Sequence, residues 1–80
     1  MSKEIEIRFK VDADWLEQLK KKLNLSSARE VTEEALTLLN WAAQETRDQR
    51  VILSANKDGS DVHRLVTPAL SRAEKNGDLR

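Results

Sequence analysis

Three charged side chains, Glu6, Arg8 and Lys10, fall at every second position of the stretch EIEIRFKV (residues 4–11), interleaved with Ile5, Ile7, Phe9 and Val11. An extended chain turns alternate side chains to opposite faces, so this spacing collects the charges on one side and four apolar groups on the other. The chemistry open to that charged face is recognition. A guanidinium and an ammonium donate hydrogen bonds and pair with anions, while a carboxylate accepts. Catalysis has little to work with: the chain has no cysteine, no glycine-rich phosphate loop, and one histidine, His63. Asp61 and His63 alternate on a strand-like pattern but offer two ligands where a structural metal site needs four. The sequence is therefore read as no enzyme, with no metal and no cofactor.

The charged face needs elements to hold it. The next strand signal lies about forty residues downstream, which leaves the backbone donors and acceptors of residues 4–11 unpaired unless another strand covers them. The same segment of a second chain is the direct remedy. Two antiparallel copies place Ile5, Ile7, Phe9 and Val11 from both chains against the helices and Glu6, Arg8 and Lys10 outward. Such a two-stranded ribbon has the width to enter the major groove of DNA.

Asp12 and Asp14 can cap and charge a helix over Ala13–Leu23, with Trp15, Leu16, Leu19 and Leu23 at helical spacing and Trp15 placed in the core. Lys20, Lys21 and Lys22 in its last turn suit the helix dipole better than an external phosphate, and Asn24 can take the left-handed C-terminal position ahead of Leu25. Ser27 and Glu30 have capping-box spacing, with Ser26 an equal candidate for the cap. The second helix then runs from Ala28 to Arg47 or Arg50. Val31, Ala35, Leu38, Leu39, Ala42 and Ala43 form its stripe, with Thr46 extending it. Leu36 and Trp41 lie off that stripe, as on a helix covered from more than one side where subunits meet.

From Val51 the pattern becomes VILSANKDGSDVHRLV, where Asp58-Gly59 predicts a two-residue type I′ hairpin turn. That turn sets Lys57 opposite Ser60, Ala55 opposite Val62, Leu53 opposite Arg64 and Val51 opposite Val66, a mostly apolar face. Pro68 ends the second strand. Residues 69–80 lack apolar periodicity and read as a flexible tail or a frayed helix.

Strand IEIRFKV, helix DADWLEQLKKKL, turn NLSSARE and helix VTEEALTLLNWA together resemble the ribbon-helix-helix family of Arc- and MetJ-like DNA-binding proteins, over residues 4–45. The resemblance implies an obligate homodimer whose intermolecular ribbon reads double-stranded DNA, with base contacts from Glu6, Arg8 and Lys10. It also implies a phosphate clamp at the start of the second helix, formed by Ser26, Ser27 and Ala28 with Arg29 nearby. Two positions depart from the family pattern. Asn24 stands where glycine is usual, and Glu6 sets a carboxylate on the DNA-facing side, where it could accept from a cytosine amino group.

The 80 residues suffice for one small domain that buries only about 60% of its unfolded surface, so oligomerisation is a natural stabiliser. The absence of cysteine fits a reducing cytoplasm, and no signal or membrane-spanning pattern is present. Fourteen basic residues balance fourteen acidic ones, which argues against bulk attraction to DNA or membrane and makes placement of charge the issue. The expected architecture is mainly α with short β: a ribbon-helix-helix dimer over residues 1–50, a C-terminal β-hairpin over 51–68, and a flexible tail over 69–80. The expected function is a DNA-binding transcriptional regulator of repressor or antitoxin type. The alternative is a scaffold that binds a partner protein through the hairpin with little DNA readout.

Overall fold

Asp12 opens the first helix in the way its sequence predicts. In a computed structural model that describes residues 3–78, the elements in chain order are α1 (Ala13–Leu23), α2 (Ala28–Arg47), β1 (Ile52–Ser54), β2 (His63–Leu65) and α3 (Pro68–Asp78). The chain is mostly helical with a two-stranded antiparallel sheet, and it divides into units Met1–Glu33 and Glu34–Arg80.

Residues 3–11 form no strand within the chain. Ile5, Ile7, Phe9 and Val11 are all exposed, Phe9 to 64%. Within the chain, no strand and no helix covers this apolar face. α1 then begins where the Asp12 carboxylate accepts from the Trp15 N–H at 2.8 Å. Asn24 ends it in the left-handed conformation (φ 55°, ψ 43°). The Leu25 N–H donates to the Lys20 carbonyl at 2.9 Å and the Asn24 N–H to Lys21 at 3.3 Å, which closes the helix with a Schellman pair. Trp15, expected in the core, is instead 58% exposed. Among the described residues of this unit, Val31 is the buried apolar one.

In the second unit, Ala42, Thr46 and Leu70 are buried. Thr46 tolerates burial because its hydroxyl donates to the Ala42 carbonyl at 2.8 Å, a local bond that leaves no unmet donor. α2 stops in a second Schellman pair, Arg50 N–H to Glu45 O and Gln49 N–H to Thr46 O, both 3.0 Å. Gln49 is the left-handed residue here (φ 66°). Its amide compensates by donating to the carbonyls of Arg47 (3.3 Å) and Glu74 (3.2 Å).

The hairpin keeps the predicted register in β1 and β2 but has a different turn, in which Asn56 and not Lys57 faces Ser60. Leu53 pairs with Arg64, flanked by Ile52–Leu65 and Ser54–His63. Asp58, however, has no positive φ, which a type I′ turn would require of it. The Gly59 N–H instead donates to Asn56 O at 2.8 Å, and the Asn56 N–H to Ser60 O at 2.9 Å, so the loop is Lys57-Asp58-Gly59 with Gly59 at φ 90°. This is the three-residue turn closed by a left-handed glycine. It shifts the pairing by one residue, and Asp61, left-handed at φ 54°, shifts it back. Between the Asn56/Ser60 and Ser54/His63 pairs, Ala55 alone faces both Asp61 and Val62, a bulge on the second strand.

Of the two readings of residues 69–80, a flexible tail or a frayed helix, the chain takes the helical one: α3 spans Pro68–Asp78, and residues 79–80 lie outside the described ones. Three local devices make this helix. The Thr67 hydroxyl accepts from the Leu70 N–H at 3.1 Å as an N-cap, Pro68 occupies the first helical position, where it loses no bond, and Leu70 is buried. At the other end Gly77 approaches the end of α2 so closely that a Cβ would collide with the Arg47 carbonyl oxygen.

Candidate nucleic-acid interface

All the residues expected to contact DNA fall in the first unit. On the 4–11 segment, Arg8 and Glu6 form an ion pair: Arg8 Nε donates to Glu6 Oε1 at 2.9 Å, with Nη2 at 2.8 Å from the same oxygen. Lys10 is exposed two residues further on. Glu6 is thus engaged by its neighbour, a contact that the i, i+2 spacing made available and that treating the charges one by one overlooks.

The second group sits at the N-terminus of α2. Ser27 is the cap, its hydroxyl accepting from the Glu30 N–H at 3.1 Å. Glu30 turns back past the cap residue: its Oε1 accepts from the Ser26 N–H at 3.2 Å, from the Ser26 hydroxyl, and from the Ser27 hydroxyl at 3.4 Å. The Ser26 hydroxyl, followed by its N–H, holds the Glu30 carboxyl below its usual value. An anionic group therefore already occupies part of the expected clamp. A phosphate arriving there would meet the unclaimed first-turn N–H groups of Ala28 and Arg29, and would compete with Glu30 for Ser26. Arg29 is highly exposed, and its Nε donates to Glu33 at 2.9 Å. Lys20, in the last turn of α1, pairs with Glu17 at 3.0 Å.

Basic and acidic residues balance within residues 1–33 as they do in the whole chain. No excess of positive charge steers DNA to this unit; what it offers is a few cations at defined positions. In the second unit His63 Nε2 and Asp61 Oδ1 lie 3.0 Å apart on the hairpin, away from these groups in sequence. Among the described residues no cluster of three or more potential metal ligands forms, and no helix is long and apolar enough to cross a membrane.

Compared with family models, curated proteins and solved structures, the chain matches none. Its functional reading therefore rests on its own residues.

Proposed function

We propose that the chain is a ribbon-helix-helix DNA-binding regulator that dimerises through residues 5–11 and presents Arg8 and Lys10 to base edges in the major groove. The observation that carries this reading is the state of the 4–11 segment. It alternates strictly, its backbone has no ladder in its own chain, and all four of its apolar side chains are exposed.

A second copy of the segment would cover these side chains and complete the ladder. In the same reading, phosphate would be held by the N–H groups of Ser27, Ala28 and Arg29, with Ser26 released from Glu30.

Selection of bound duplexes from random DNA at two salt concentrations tests the reading. The wild-type protein should enrich a half-site repeated about a dimer axis, with affinity falling steeply as salt rises. Arg8→Ala should weaken specific binding by about 1–3 kcal/mol and relax preference at one base position. An unchanged binding profile for the Arg8→Ala, Lys10→Ala double variant would remove ribbon readout.

The exposed apolar residues Val51, Leu53, Val62 and Val66 of the hairpin favour a second, compatible reading in which this face docks a partner protein, as an antitoxin or adaptor would. Deleting residues 51–80 should then abolish partner capture and leave DNA binding in place.

A further inference from the structure

Glu6 is a carboxylate on the face that the proposed function turns toward DNA, where phosphate repels it. Its geometry gives it a different task. Arginine carries five N–H donors in one plane. Glu6 Oε1 takes the edge formed by Nε and the near side of Nη2, at 2.9 and 2.8 Å. The edge formed by Nη1 and the outer hydrogen of Nη2 remains: two parallel donors, the fork that matches O6 and N7 of guanine. Both side chains are otherwise wet, Arg8 85% and Glu6 74% exposed, so no packing restrains the guanidinium. The carboxylate is what limits its rotamers.

We propose that Glu6 is a positioning residue for guanine recognition, holding the Arg8 guanidinium by one edge so that the other meets the base. This rests on the DNA-binding reading of the ribbon. Two copies of the segment would also crowd four cations, Arg8 and Lys10 from each chain, onto one narrow face, where like charges oppose strand pairing. Two Glu6 carboxylates offset that repulsion without covering the donating edge. The cost is weaker attraction to phosphate everywhere along the duplex. Glu6 thus exchanges general affinity for selectivity.

A double-mutant cycle separates these terms. Wild type, Glu6→Gln, Arg8→Ala and the double variant are titrated with the half-site duplex recovered by selection, with the same duplex carrying 7-deazaguanine at the selected guanine, and with an unrelated duplex. Dimerisation is measured on the same samples. Glu6→Gln should bind the unrelated duplex more tightly and discriminate against 7-deazaguanine several-fold less than wild type. Arg8→Ala should then cost much less selectivity in the Glu6→Gln background than in wild type. Glu6→Asp, which keeps the charge, should retain more discrimination than Glu6→Gln. If Glu6→Gln instead strengthens binding to all three duplexes by one common factor, with the Arg8→Ala effect unchanged, Glu6 is only a repulsive charge and the positioning role is overturned while DNA reading stands. If wild type itself shows no preference among the duplexes, the DNA-binding reading fails and this inference with it.

Discussion

Phe9→Ala is the sharpest test of the proposed dimer, because its cost can be worked from exposure. A phenylalanine buries about 150–250 Å² when fully covered, and Phe9 is 64% exposed in the single chain. Ribbon formation therefore has about 130 Å² of it left to cover, worth roughly 3 kcal/mol at about 25 cal/mol per Å². Alanine retains part of that contact, which reduces the loss to about 2 kcal/mol per chain. Each dimer contains the residue twice, so dimerisation should weaken by about 4 kcal/mol, or roughly a thousandfold in Kd. Sedimentation over a dilution series measures this directly. Arg8→Ala, on the opposite face, should leave the dimer constant within the range of ordinary surface substitutions. A wild-type chain that sediments at 9.1 kDa at every accessible concentration would end the dimer proposal. So would a Phe9→Ala chain that associates like wild type.

Two further tests probe the local devices around the site and the C-terminal helix. Glu30 has a depressed carboxyl value in the folded chain, so the stability it contributes is present above its ordinary value of about 4.5 and is lost as pH falls through the lower, folded value. Glu30→Gln should flatten the acid limb of stability against pH and, by removing a negative charge from the clamp, strengthen low-salt DNA binding; denaturant midpoints between neutral and acid pH that track wild type would rule this out. Gly77→Ala sets two effects against each other: alanine gains about 1 kcal/mol of helix propensity, whereas a Cβ against the Arg47 carbonyl carries an overpacking cost of about 1–3 kcal/mol. The clash should win, lowering the melting temperature and speeding amide exchange in α3; a raised melting temperature would show that the close approach is not held.

Helix boundaries were legible in the sequence because capping chemistry is local. Asp12, Asn24 and Ser27 each satisfy or terminate a helix end through bonds to residues three to five positions away, so α1 runs Ala13–Leu23 and α2 begins at Ala28 as their caps predict. The hairpin shows where local rules stop. Asp58-Gly59 reads as a two-residue turn, but Asn56 and Ser60 close a three-residue loop instead. In it the Asp58 carboxylate accepts from the Ser60 N–H at 2.9 Å and the Ser60 hydroxyl at 2.6 Å. The register survived only because Asp61, a residue type tolerant of positive φ, restored the lost residue.

α3 was legible only as a frayed helix for a different reason. Its cap at Thr67 and Pro68 is local, but its apolar content is small, so periodicity is faint, and further contacts to it come from far along the chain: Gln49 reaching the Glu74 carbonyl and Gly77 against Arg47. The misplacement of Trp15 follows the same logic with the sign reversed. Apolar spacing marks a face that needs cover and is silent about which molecule supplies it. On α2, buried Val31, Ala42 and Thr46 lie at the centre of an arc whose flanks, Leu36 and Leu39 on one side and Leu38 and Trp41 on the other, are all about half exposed or more. An apolar arc wider than the chain's own contacts is surface that the proposed dimer would cover. If Phe9→Ala disperses the dimer, those flanks and Trp15 are the surface that has lost its cover. Residues assigned to the core from spacing, yet open in the single chain, are then the interface.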